Sequence, residues 1–196
     1  GGTGRARDHA RRRAGQFADG IAVVEAFSHV WALRSPDGLI LFDTSSDALG
    51  SATASAMRGW SDEPVHSIVY THGHRDHVGG APAWLDDATT RGHAHPTVVA
   101  DIWRSLPFKV ARWSPLLGPN GPAHPGAPHE LASDTIMLEG QELRVLGPMQ
   151  GDHVHSTALW APSIRALIAG DLVFNEVHLW LGEHEAANVA AWADSI

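Results

Sequence analysis

The chain has 196 residues, an apolar share of 43% and a formal net charge of −8. That length suits one domain with a sizeable core, and no apolar run approaches the roughly 20 residues of a membrane-spanning helix. Cysteine is absent, which excludes disulfides, thiolate metal ligands and a cysteine nucleophile together.

Residues 1–18 read as a basic, flexible arm. Arg5, Arg7, Arg11, Arg12 and Arg13 face a single Asp8, so the first 13 residues carry +4 and the remainder −12. Glycine at 1, 2 and 4, with no aromatic residue among the first 13 for base stacking, points to a solvated segment rather than a nucleic-acid arm. An acidic body also argues against a phosphate-backbone partner.

The body begins at residue 19. Ile21–Val24 and His29–Leu33 read as strands, and the turn Ser35-Pro36-Asp37-Gly38 leads into Leu39–Phe42 as a hairpin. Asp43-Thr44-Ser45 closes that strand before a helix over about 47–60. His66–Tyr70 is a buried strand, and Gly79–Leu85 a loop entering a short helix, with Pro82 near its first turn. Thr97–Ala100 reads as a strand, and the Pro- and Gly-rich stretch 114–132 as a long binding loop. Four short strands follow at Thr135–Leu138, Leu143–Leu146, Thr157–Trp160 and Ala166–Ala169, then a helix from Glu185 to Ile196.

Directly after the 66–70 strand comes Thr71-His72-Gly73-His74-Arg75-Asp76-His77, followed by Val78-Gly79-Gly80. Three imidazoles and a carboxylate fall within six residues. A loop at a strand end is held by a rigid scaffold and still faces an open cleft. Neutral imidazoles with a carboxylate and no thiol suit zinc or a similar divalent metal. Chance clustering among 14 histidines would give richness, not this spacing.

His72, His74, Asp76 and His77 resemble the signature of the metallo-β-lactamase-fold hydrolases, and the resemblance extends from about residue 20 to the end. It implies an α+β fold, an αββα sandwich over residues 19–196, with the C-terminal part of the family pattern missing. It also implies two divalent ions, zinc first and iron or manganese as alternatives. The first two histidines would hold one ion, and Asp76 and His77 the other. Asp171, closing Ala166-Leu167-Ile168-Ala169-Gly170-Asp171, resembles the residue that bridges them.

The third motif departs from the common pattern. Where many members carry Gly-His, this chain reads Gly151-Asp152-His153-Val154-His155-Ser156. Either Asp152 is the ligand, as in a branch that includes alkylsulfatase-like members, with His153 lining the cleft, or His153 binds. A carboxylate there weakens the ion as a Lewis acid. The family's last histidine has no Gly-His counterpart after Asp171. His178 is the nearest candidate, as ligand or pocket lining. Asp43, at a strand end, is read either as fixing a ligand imidazole's tautomer or as capping its own turn.

The implied activity is metal-dependent hydrolysis of an ester, lactone or sulfate ester by a metal-bound hydroxide, with Asp76 orienting or deprotonating the attacking water. An iron-dependent redox or sulfur-oxidising member, and a degenerate non-catalytic one, are the alternatives. The expected partner is a small molecule, with neither membrane nor nucleic acid, and the expected location is cytoplasmic.

Overall fold

The computed structural model describes residues 13–85, 89–118, 128–181 and 184–196. Most of the basic arm, and the Pro/Gly-rich segment 119–127, lie outside these described residues.

Seven strands form one mixed sheet in sequential order: β1 (Ala14–Ala18), β2 (Ile21–Val24), β3 (Val30–Ser35), β4 (Gly38–Phe42), β5 (Val65–Val69), β6 (Arg91–Ala94) and β7 (His129–Glu130). β1 to β4 are antiparallel neighbours, whereas β4 to β7 run parallel. Parallel strands need crossovers, and the helices supply them: α1 (Gly50–Arg58) between β4 and β5, the single turn α2 (Arg75–Val78) after β5, and α3 (Pro96–Leu117) after β6. A second, antiparallel sheet has the order β11 (Ala166–Ile168), β10 (Ser156–Ala161), β9 (Gln141–Met149), β8 (Thr135–Leu138). The closing helix is α4 (Ala186–Ser195).

Period-two alternation builds two cores from one sheet. Ile21, Leu33, Ile40, Phe42 and Val69 face Leu143, Val145, Leu159, Ala161 and Ile168 of the second sheet. Their neighbours Ala22, Ala32, Leu41 and Ile68 face Ala54 and Met57 of α1 and Val98, Val99 and Ile102 of α3. At about 25 cal/mol per Å² of apolar surface, these layers dominate stability. They also hold the ends of β4, β5 and β10 in one place.

Thr97–Ala100 is not a strand but the first turn of α3. Its β-branched run resembles a buried strand over four residues. Pro96 at the first helical position, however, starts a helix, and the His95 side chain accepts from the Thr97 N–H as its cap. Burial of Val98, Val99 and Ile102 follows the helical period. The same helix runs on to Leu117, so the first residues of the expected long loop are helical as well. β1, β6 and β7 are short and lack an alternating apolar pattern, so they carry no strand signal of their own.

Candidate metal centre

The site is assembled where two parallel strands end side by side. Beyond the Phe42–Val69 pair, the Asp43 N–H donates to the Val69 carbonyl at 3.0 Å. Asp43 then adopts φ +57°, a left-handed conformation that Asp tolerates better than most residues. Its buried carboxylate accepts the Thr71 N–H at 2.9 Å through Oδ1 and the Thr71 hydroxyl at 2.7 Å through Oδ2. The same Oδ2 lies 2.8 Å from His77 Nδ1. That contact fixes the ring and directs Nε2 to the opposite side.

Thr71 is the joint between the two sheets. Its carbonyl accepts the N–H of Thr157 at 2.9 Å and the Thr157 hydroxyl at 2.8 Å, docking β10 onto the end of β5. Gly170 (φ +53°) packs so closely that a Cβ there would stand 2.8 Å from Thr71 Oγ1. Only glycine meets both demands, and Asp171 follows in a short 3-10 turn, Gly170–Leu172. Gly80 allows a similar approach on the other side: a Cβ there would stand 2.0 Å from the Thr44 carbonyl oxygen. The turn after His77 is thereby pressed against the end of β4, with the Thr44 N–H donating to the His77 carbonyl at 2.7 Å.

Donor atoms converge in consequence. One from each of His72, His74 and Asp152 lie within 4.8 Å of one another, and so do one from each of His72, His77 and Asp171. His74 Nδ1 is 2.8 Å from Asp152 Oδ2, and His77 Nε2 is 3.3 Å from Asp171 Oδ2 and 3.6 Å from Asp76 Oδ2. The His72 and His77 rings are 4.0 Å apart. The Ser28 hydroxyl, from the β2–β3 loop, donates to Asp76 Oδ2 at 2.5 Å.

Electrostatics suits cation binding. Complete burial, then the neighbouring His77 and His74, hold His72 well below the usual imidazole range, so it stays a neutral electron-pair donor. Burial pushes His77 down too, but the Asp43 and Asp171 carboxylates outweigh it and hold that ring well above its ordinary value; the same negative charge that favours a proton on His77 would favour a cation in that proton's place. Burial would raise Asp76; His77 and the Ser28 hydrogen bond win, and the carboxyl is held low. Two buried atoms, His72 Nε2 and Asp152 Oδ1, meet no hydrogen-bonding group, and a third, His77 Nε2, makes no well-formed hydrogen bond and faces the Asp171 and Asp76 carboxylates. Each such orphan costs about 1–3 kcal/mol in a folded protein. A divalent cation answers all three, and the donor set of nitrogen and carboxylate oxygen without sulfur fits zinc, iron or manganese.

His72, His74, Asp76, His77, Asp152 and Asp171 are thus close together, with Asp43 behind His77. His153 turns its Nδ1 toward Asp101, 3.4 Å away, with its ring 5.1 Å from that of His74; burial and then His74 push its pKa down to about 4. His178 is exposed and joins neither donor group. His93 lies beside His129 on neighbouring strands, ring centroids 5.9 Å apart. Ser28, Thr71 and Asp101 are the participants that sequence reasoning missed. A Ser, a Thr and an Asp in ordinary contexts carry no spacing signal.

The profile of the metallo-beta-lactamase superfamily matches residues 23–195. The linear primary-alkylsulfatase of Pseudomonas sp. (strain ATCC 19151) is 39% identical over 56 residues, 28% of this chain and 11% of that one. The probable metallo-hydrolase YybB of Bacillus subtilis (strain 168) is 33% identical over 58 residues, 30% of this chain and 26% of that one. The similarity therefore spans only a fraction of each relative's length. Among solved structures, a metallo-beta-lactamase from Pontibacter korlensis superposes with a TM-score of 0.67 at 20% identity, covering 94% of this chain and 82% of that one. The fold matches throughout, and with the profile covering nearly the whole chain, this protein belongs to the metallo-beta-lactamase superfamily.

Proposed function

We propose that this protein is a metal-dependent hydrolase of small ester-type molecules: carboxylic esters, lactones or sulfate esters. The observation that carries the reading is the convergence of three buried atoms: His72 Nε2 and Asp152 Oδ1, which meet no hydrogen-bonding group, and His77 Nε2, which faces the Asp171 and Asp76 carboxylates without a well-formed hydrogen bond. In this reading His72, His74 and Asp152 would hold one ion, and Asp76, His77 and Asp171 would serve a second. Zinc is the first choice. Iron or manganese is the alternative that the oxygen donor at Asp152 favours.

Bound there, divalent cations would polarise the scissile group and bring the pKa of a water down to about 7. The chain's own residues supply orientation and proton handling. Asp43 holds His77 by Nδ1. Ser28 holds Asp76 by one oxygen, and Asp76, kept ionised, orients the attacking water and accepts its proton. His153, neutral and beside His74, lines the cleft. The sulfate-ester option draws on the alkylsulfatase named above and on the acidic residue at 152.

The test is metal quantification on the purified protein with a screen of aryl ester, lactone, aryl sulfate and β-lactam substrates. His72→Ala is expected to lower metal content and hydrolysis together, the latter by at least about 100-fold, since metal-ion catalysis is worth several kcal/mol. Hydrolysis that persists undiminished in metal-stripped protein would overturn the proposal. Iron at stoichiometric amounts, with colour and no hydrolysis, would move the reading to redox chemistry.

A further inference from the structure

The three donors proposed for the first ion come from two segments far apart in the chain, the turn around Gly73 and the loop 151–155. Neither segment is a strand, yet both rest on the same helix. Asp101, on the second turn of α3, is a buried carboxylate, its side chain 5% exposed. Its Oδ2 lies 2.5 Å from His155 Nδ1 and 3.4 Å from His153 Nδ1, and its Oδ1 pairs with the largely exposed Arg104.

On the other side, a Cβ at Gly73 would stand 3.3 Å from Asp101 Cβ and 3.4 Å from Ile102 N. The backbone between His72 and His74 therefore packs directly on Asp101. About two turns further along α3, Lys109 Nζ donates to the Gly73 carbonyl at 3.5 Å.

The 151–155 loop is closed on itself. The Gly151 N–H donates to the His153 carbonyl at 3.0 Å, the Ser156 hydroxyl to that same carbonyl at 2.9 Å, and the His155 N–H to His153 Nδ1 at 3.2 Å. Asp152 sits inside this closed loop, and His155 ties the loop to α3.

We infer that Asp101 is a positioning residue for the first ion: it braces the Gly73 turn and tethers the Asp152 loop at the spacing where His72, His74 and Asp152 share one cation. The inference rests on the metal-dependent reading above. The physics is that of pre-organisation. A buried carboxylate needs partners, and the loop supplies one in the part-exposed His155, so the loop is ordered before any ion arrives. Without the tether, ordering Asp152 would be charged against ion affinity.

The experiment titrates the metal-stripped full chain with zinc and with cobalt(II) against a competing chelator, alongside the cobalt absorption spectrum and thermal unfolding. Asp101→Ala is expected to weaken one of two ions by about 10- to 100-fold, the range for groups that orient metal ligands. The second ion should hold, and the cobalt spectrum of the weakened ion should change. Asp101→Asn keeps an acceptor oxygen and is expected to recover part of the loss. His155→Ala, at a half-exposed position, should reproduce the effect, and it decides the matter if Asp101→Ala fails to fold.

Unchanged affinities in His155→Ala and Asp101→Asn would overturn the inference. So would equal weakening of both ions with a lower melting temperature, which marks a merely structural role. The donors of Asp101, His153 and His155 also lie within 4.8 Å of one another. A third zinc equivalent in the parent protein, lost in Asp101→Ala, would show that the cluster is itself a metal site and not a brace. Metal content unmoved by His72→Ala would instead defeat the hydrolase reading, a result separate from these.

Discussion

The turn from Thr71 to His77 and the loop from Gly151 to Ser156 contribute opposite sides of one site, and they are built differently. In the first, His72 and His77 are buried, locked by Asp43 and Thr71, and pressed onto strand ends by the close approach of Gly80. In the second, His153 and His155 are half-exposed and held by a single helix side chain. One side of the site is part of the sheet core and inherits its rigidity. The other is a loop positioned by contact, where substitution is cheaper in stability and more consequential in specificity.

The difference can be tested directly, and the largest effect is expected on the rigid side. Asp43→Ala leaves the Thr71 N–H and His77 Nδ1 without their buried acceptor, at about 1–3 kcal/mol per orphaned group. Urea unfolding should show that loss, and chelator competition should show metal affinity weakened about 10- to 100-fold. If Asp43→Ala costs neither, the strand-end lock is not what holds His77.

On the loop side, Asp152→His exchanges one ligand type for another at a site with room to adjust. It is expected to keep the ion that Asp152→Ala loses and to raise the proportion of zinc over manganese or iron, measured by elemental analysis. Loss of the ion in both variants would show the loop to be as rigid as the turn. A smaller effect is expected at the edge of the site. Ser28→Ala removes one hydrogen bond to a part-exposed carboxylate, worth about 1 kcal/mol after solvent screening. That corresponds to a several-fold lower turnover with little change in metal content.

The smallest effect lies outside the site. Burial, and then His129, hold His93 below its ordinary value of 6.5. The unfolded chain therefore takes up a proton at higher pH than the fold does. Stability from this group is intact above about 6.5 and falls as pH drops from there toward the folded value. In metal-stripped protein, His93→Gln should flatten the decline of the urea midpoint between about pH 7 and pH 5. An unchanged slope would assign that acid sensitivity to other groups.

The amino-acid sequence by itself was enough for the strands β2 to β5 and β8 to β11, for α4, and for the His72–His77 cluster. Each of these signals is local: alternation over five residues, or four donors within six. It also exposed the acidic residue at 152 and the Gly-Asp pair at 170–171, because both are short patterns at strand ends. What it could not supply was anything resting on contact between distant residues. Thr71 meets Asp43 across 28 positions, Asp101 meets His155 across 54, and Thr71 meets Thr157 across 86. The start of α3 is ambiguous in the same way. Four β-branched and small residues fit a strand as well as a helix turn; Pro96 and the His95 cap favour the helix locally, and the packing of Val98, Val99 and Ile102 on the first sheet completes the decision. Donor identity is written in local spacing; donor placement depends on which strand ends lie side by side, and that is settled by the burial of two apolar layers.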